Sequence, residues 1–194
     1  MRWLLFVILV YVALLLQTTF GNLLMVRSEW PGPIMPDLLA AVAVFFALSL
    51  RQSADVVIAC WALGLGLDLT TTGAMAGAAD GQFFLPPLGP MAIAYTLAGL
   101  TVFKLREAFF RERVFSQMIL VAFFVVAAHG LYVLIISLVG SRHGQWDYFG
   151  QRLVQALLTA LYSAALAPLV HSLLRRSEKM LIAPVGGRNS GRER

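Results

Sequence analysis

Positively charged residues at alternate ends of six apolar segments constrain this chain more than any other feature of its sequence. The segments are residues 3–20, 34–50, 54–69, 88–103, 114–140 and 153–174. With the N-terminus inside, twelve of the fifteen Lys and Arg residues flank the inner ends, and only Arg27, Arg142 and Arg152 flank the outer ends. Because short loops rich in Lys and Arg stay in the cytoplasm, this asymmetry predicts an all-α, polytopic bundle of six transmembrane helices with both termini cytoplasmic.

Length and composition agree with a membrane domain. Hydrophobic residues make up 59% of the 194 residues and charged residues only 13%, which excludes an ordinary soluble domain. A helix needs about 20 residues to cross a bilayer, so segments two, three and four, which are shorter, must borrow polar flanks or pack inside the bundle. We predict a six-helix membrane domain over residues 1–176, followed by a basic, disordered cytoplasmic tail over residues 177–194.

The net charge of +5 does not indicate a nucleic-acid partner, because the cations lie at membrane boundaries, where they bind the anionic surface of the lipid bilayer. The single cysteine, Cys60, lies in the third segment, so the chain can form no internal disulfide.

Asp68 is the sharpest candidate for a functional site, since polar residues inside a bilayer are costly. Gly64 and Asp68 share one helix face by their four-residue spacing. Three interpretations remain open for the carboxylate: a structural cap or hydrogen bond to neighbouring backbone, a contact with a partner protein, or proton and ion chemistry.

Other polar or helix-breaking residues have structural interpretations. Pro36 fits the first turn of the second helix, where a missing N–H is harmless, and Asp37 would then lie at the positive end of the helix dipole. His129 is expected to be a neutral imidazole hydrogen-bonded between helices, although the sequence suggests no partner. His171 is expected at the inner membrane interface, and Pro168 is expected to kink the sixth helix.

No pattern in the chain indicates catalysis. The three histidines lack the spacing of metal ligands, and no serine has the setting of an intramembrane nucleophile. Asp37 and Asp68 could in principle form a carboxylate dyad, but neither lies in a setting that resembles an aspartyl-protease motif. We therefore predict no enzyme activity, no metal and no cofactor.

Small and polar side chains instead form stripes that favour close helix packing. Small side chains let helix backbones approach closely, and hydroxyl or amide side chains can then hydrogen-bond across the interface. The stripes are Ala40, Ala43 and Ala47 in the second segment, Gly89, Ala92, Thr96 and Gly99 in the fourth, and Gln155, Thr159, Ser163 and Ala167 in the sixth.

Several of these motifs, in this order, resemble one family. Pro36-Asp37-Leu38-Leu39 is similar to the start of the second helix in MreD, the bacterial rod-shape-determining membrane protein. The run from Gly64 to Leu69 with Asp68, followed by Leu88-Gly89 and Tyr95, resembles that family's glycines and aspartate between its third and fourth helices. The end of the sixth segment, with Pro168, is also similar, and the resemblance extends to about Arg176. The chain departs from the family in its longer connection between Asp68 and Gly89.

The resemblance implies a non-enzymatic component of the peptidoglycan elongation machinery in the bacterial inner membrane. It would bind an MreC-like membrane protein and, through it, the MreB filament, the SEDS glycosyltransferase and its penicillin-binding transpeptidase. Candidate structural or partner-contact residues are Pro36, Asp37, Gly64, Asp68, Gly89, Tyr95 and Pro168.

Two other functions are weighed against this one. MreD is similar in fold to the substrate-binding subunits of vitamin transporters, so a small-molecule uptake subunit is the alternative; it would need a roomy outward cavity lined by groups such as Gln17, Asp68 and Thr70. An intramembrane enzyme acting on lipid-linked precursors has no positive support in the sequence.

Overall fold

A computed structural model of the chain describes residues 3–30, 32–75, 88–106, 114–139 and 149–181. These residues form six helices and no strand, apart from one isolated antiparallel bridge between Val26 and Ile34. The helices are α1 (Trp3–Leu23), α2 (Leu38–Ser49), α3 (Ser53–Met75), α4 (Pro90–Leu105), α5 (Val114–Val139) and α6 (Phe149–Leu181). The predicted all-α fold is confirmed.

Four helices, α1, α3, α5 and α6, are long and apolar enough to cross a membrane, which indicates a membrane-embedded protein. The other two, α2 and α4, are equally apolar in character but shorter. With 12 residues, α2 is only about 18 Å long at about 1.5 Å per residue, well below the roughly 30 Å of a hydrocarbon core.

Several helix boundaries differ from those predicted. The second segment becomes helical only at Leu38, because the preceding backbone pairs Val26 with Ile34 instead of continuing the helix. Pro36 therefore lies before the helix, and its predicted position in the first turn was wrong. α3 continues through Met75, and the rest of the connection toward Gly89, residues 76–87, lies outside the described residues.

α6 continues to Leu181, beyond the predicted start of the tail, and residues 182–194 lie outside the described part. The helix continues on both sides of Pro168, which lies inside it. Because proline has no N–H, the carbonyl of Ala164 loses its helical donor at this point.

The central helix of the bundle is α2, which contacts each of the other five helices. Ten of its 12 residues are buried, and four of these are alanines, which allow neighbouring backbones to come close. Its apolar character on all sides follows from this burial, because it is surrounded by the other helices of the bundle.

The backbones of α3 and α4 come very close to each other at two glycines. A Cβ atom on Gly64 would lie 2.6 Å from the carbonyl oxygen of Met91 and 2.7 Å from Cα of Ala92. One on Gly99 would lie 2.3 Å from Sγ of Cys60. Gly64 therefore allows two backbones to touch, and Gly99, which belongs to the predicted small-residue face of the fourth segment, leaves room for the side chain of Cys60.

Arg106 joins the C-terminal end of α4 to the C-terminal end of α2. Its guanidinium donates hydrogen bonds to the carbonyl oxygens of Leu50 and Ala47 and lies 3.8 Å from the ring centroid of Phe103. The last carbonyls of a helix carry its negative dipole end, so a cation there stabilises the C-terminus of α2. Arg106 joins the C-terminal ends of α4 and α2, and the contact between Tyr95 and Asp37 joins their N-terminal parts. The two helices therefore run in the same direction.

Candidate functional site

Five polar side chains meet at the N-terminus of α2: four come from other helices, and one belongs to the residue that caps α2. We call them the Asp37 cluster: Gln17 of α1, Asp37 before α2, Tyr95 of α4, His129 of α5 and Ser163 of α6. His129 and Ser163 lie near the middle of the long helices α5 and α6, so the cluster lies deep within the bundle rather than at one of its ends.

Asp37 is the centre of the cluster and is almost fully buried. Its Oδ1 accepts the backbone N–H of Ala40 at 2.9 Å, which makes Asp37 the N-cap of α2. Its Oδ2 accepts the Tyr95 hydroxyl, and Nε2 of His129 lies 3.0 Å from the same oxygen. A carboxylate offers about four lone-pair sites, so one side chain can hold α2, α4 and α5 together.

Gln17 and Ser163 satisfy the non-helical backbone beside Asp37. The amide of Gln17 donates to the carbonyl of Pro36 at 3.0 Å and accepts the N–H of Leu38 at 2.7 Å. The N–H of Asp37 donates to Oγ of Ser163 at 2.8 Å. Irregular backbone at membrane depth is tolerated only where protein groups satisfy it, and these two side chains do so.

Replacing Gln17 with leucine is expected to lower the free energy of unfolding by about 2 kcal/mol, because the buried carbonyl of Pro36 and the partly buried N–H of Leu38 both lose their partner. The measurement is unfolding of the purified protein in mixed micelles. Thr18→Val is the matched control: Thr18 is exposed and its hydroxyl donates only to carbonyls of its own helix. Equal losses for the two variants would contradict the role of Gln17.

Asp68 occupies a second polar site, where it caps a helix other than its own. Its carboxylate accepts the N–H groups of Gly89 at 3.1 Å, Met91 at 3.3 Å and Ala92 at 3.2 Å, all at the start of α4. These are N–H groups that a helix leaves without intrahelical partners. Of the three interpretations of Asp68, this geometry favours the structural cap, and Asp68 and Asp37 bind different groups rather than each other in these contacts.

The candidate residues from the sequence thus fall into two adjoining groups and one outlier. Pro36 and Asp37 belong to the α2 entrance, and Tyr95 joins them. Gly64, Asp68 and Gly89 belong to the α3–α4 crossing, where Tyr95 also packs against Gly64. Pro168 joins neither group in any of these contacts.

Of the two histidines placed within the helices, one has its predicted setting and the other does not. His129 is bonded between helices as predicted, and its partner Asp37 is 92 positions away in the chain. His171 was predicted at the interface, but it is 2% exposed, with Nε2 2.9 Å from the carbonyl oxygen of Ala41 and Nδ1 3.1 Å from Oε1 of Gln117. That prediction was wrong because helix α2 covers the ring. Among the described residues, no three His, Cys, Asp or Glu side chains are grouped to hold a metal ion.

Comparison of the chain with protein-family models, with curated proteins and with solved structures finds no match. The arrangement of the site is therefore the basis for any functional conclusion. Chemically, the Asp37 cluster and the Asp68 cap together connect all six described helices through hydrogen bonds. Both place a carboxylate at a helix N-terminus, where the dipole favours negative charge.

Proposed function

We propose that the protein is a non-enzymatic scaffold of the bacterial cell-wall elongation complex, with the role that the resemblance to MreD implies. It lies in the inner membrane with six spans and cytoplasmic termini, and it binds an MreC-like membrane protein. Through that partner it is linked to the MreB filament, the SEDS glycosyltransferase and the penicillin-binding transpeptidase.

One observation supports a scaffold above all others: the buried polar side chains of the Asp37 cluster, and Asp68 beside it, bind other parts of the bundle. Asp37 binds groups on α2, α4 and α5, Gln17 and Ser163 bind backbone, and Asp68 binds backbone of α4. A transporter or an enzyme directs such groups toward a substrate. Here they specify one arrangement of helices, which is what a docking platform requires.

The uptake subunit has less support. Two of the groups that would line its cavity, Gln17 and Asp68, are engaged with backbone, and the hydroxyl of Thr70 donates to the carbonyl of Leu67 at 3.0 Å. A cavity of about 120 Å³ lies among α1, α2 and α6, but its lining is entirely apolar. A vitamin-sized ligand needs a few well-positioned polar groups to fix its orientation.

Six spans with cytoplasmic termini remain our proposal for the topology. Support comes from Arg106, which binds the C-terminal carbonyls of α2, so that the cations near residues 51 and 104–106 lie at one end of the bundle. Two short helices can cross by using polar flanks and local thinning of the bilayer.

The test is co-purification with the MreC-like protein of the same bacterium. Both proteins are co-expressed, solubilised in a mild detergent and passed over an affinity resin that binds a tag on this chain. We expect the partner to be retained and depletion of this chain to turn rod-shaped cells round. Loss of the partner under gentle solubilisation, together with normal cell shape after depletion, would count decisively against the scaffold.

A further inference from the structure

The apolar cavity among α1, α2 and α6 is a groove in the side of the bundle, which we call the α1–α6 groove. Its volume is about 120 Å³, and its lining is entirely apolar. Leu16 on its rim is 44% exposed and Leu173 is 67% exposed, so the groove is open toward the surroundings of the bundle. The lining includes Leu9, Ala13 and Leu16 of α1, Val42 of α2, and Leu173 and Leu174 of α6.

The groove runs from the middle of the bundle toward the end where cations gather. α6 runs in the same direction as α2, because Ser163 binds Asp37 and His171 binds Ala41. The C-termini of the two helices therefore lie at the same end of the bundle, which is also the end where Arg106 binds carbonyls of α2.

A cation lies at this end of the groove. Arg175 directly follows Leu174 of the lining, and its side chain is exposed. On α1 the lining extends from Leu9 to Leu16, which is about 10 Å of helix at about 1.5 Å per residue. The arrangement matches a membrane lipid, whose apolar chain lies deep in the bilayer and whose phosphate lies at the boundary.

We propose that the α1–α6 groove binds one acyl chain of an anionic phospholipid and that Arg175 binds the phosphate of the same molecule. Arginine suits this role because its planar guanidinium presents a fork of N–H donors that matches a phosphate. The proposal requires a bilayer around the bundle, and it does not depend on the MreC-like partner.

The size and the lining of the groove select this occupant over a protein helix and over water. One turn of a helix about 10 Å wide and 5.4 Å long displaces roughly 400 Å³, far more than the groove holds. Apolar cavities of about 150 Å³ stay dry and admit molecules of the size of benzene. An acyl chain is both thin enough and apolar.

The charge of the lipid should decide its affinity. Lipid tails are as apolar as leucine, so the hydrophobic effect does not drive a chain from the bilayer into the groove. The chain adds dispersion contacts that an unfilled groove lacks, and all phospholipid classes can supply these. Only the cation at the end of the groove distinguishes an anionic lipid from a zwitterionic one.

The experiment is photo-labelling of the full chain in phosphatidylcholine vesicles that contain a small fraction of phosphatidylglycerol with a diazirine on one acyl chain. Mass spectrometry locates the adducts. We expect labelling at Leu16 and Leu173 to exceed that at Ile58 and Ile119, which are exposed residues of α3 and α5 outside the groove. The same diazirine on phosphatidylcholine should label the groove about fivefold less, which corresponds to about 1 kcal/mol for a cation at an anionic surface.

Two pairs of variants test the two parts of the site. Ala13→Leu fills the groove and should reduce its labelling to the level of Ile58, whereas Ala165→Leu adds the same atoms at an exposed position outside the lining and should not. Arg175→Gln should abolish the preference for phosphatidylglycerol. Arg51→Gln removes another exposed cation and should leave that preference intact.

Two further measurements separate binding from folding. The melting temperature of Ala13→Leu should equal or exceed that of the wild-type chain, because the added atoms fill a void. Unlabelled phosphatidylglycerol should compete for the groove of the wild-type chain more strongly than unlabelled phosphatidylcholine, and this result decides the matter if Ala13→Leu unfolds. Equal labelling of the groove and of Ile58 and Ile119, equal competition by the two lipids, or adducts unchanged in a folded Ala13→Leu variant would overturn the site.

Discussion

Replacing Asp37 with alanine is expected to lower the free energy of unfolding by about 4 kcal/mol, because the groups that its buried carboxylate accepts are left without a hydrogen-bond partner. The variant leaves three groups without their acceptor: the Ala40 N–H, the Tyr95 hydroxyl and Nε2 of His129. Tyr95 is fully buried, so no lipid headgroup or water can replace the carboxylate. Unfolding in mixed micelles measures the loss.

Two further variants sharpen this result. Asp37→Asn keeps one oxygen as an acceptor and should lose about half as much. Asp55→Ala removes an acidic residue from the first turn of α3, where only the helix dipole is affected, and should cost at most about 1 kcal/mol. If Asp37→Ala proved no more harmful than Asp55→Ala, the Asp37 cluster would not hold the bundle together.

Replacing Gly64 with alanine is expected to destabilise the protein by about 3 kcal/mol, the upper part of the range for overpacking a tight core. The added Cβ would lie 2.6 Å from the carbonyl oxygen of Met91, a backbone atom that cannot turn aside. α4 must therefore move away from α3, and its first N–H groups move away from the carboxylate of Asp68. Unfolding measurements in the same micelles give the loss.

Gly99 and Gly130 provide the controls for Gly64. Gly130→Ala adds the same methyl group in open space and should be neutral or slightly stabilising. Gly99→Ala should also destabilise, because its Cβ would meet Sγ of Cys60 at 2.3 Å. Here the obstacle is a side chain, so the second change Cys60→Gly should restore stability. A stable Gly64→Ala variant would mean that α3 and α4 are not in backbone contact.

The apolar segments were enough to predict the six helices, and the small-residue face of the fourth segment was enough to predict that α4 packs closely against a neighbour, but not that this neighbour is α3. They were not enough to predict the start of α2. Hydropathy does not distinguish an apolar stretch that is helical from one that is not, and residues 34–37 are non-helical in a segment where Ile34 pairs with Val26. That pairing depends on residues eight positions earlier, not on local helix propensity.

The Asp37 cluster was partly visible in the sequence. Gln17, Asp37 and His129 each stood out as polar residues in or beside apolar segments, and such residues must find partners. Their pairing could not be predicted, because Asp37 meets Tyr95 and His129 across 58 and 92 positions of chain. Only the arrangement of α4 and α5 around α2 brings them together. A cap or hydrogen bond to neighbouring backbone was already one of the three interpretations of Asp68, and its partners follow at the start of the next helix.

The order of the cluster along the chain has a consequence for biogenesis. Asp37 leaves the ribosome long before Tyr95, His129 and Ser163, so during synthesis its carboxylate has none of these partners. The short α2 therefore cannot pack in its final position until α4, α5 and α6 have been synthesised. A nascent chain stopped before Ser163 would hold an incomplete core, which makes it a natural target for quality-control proteases.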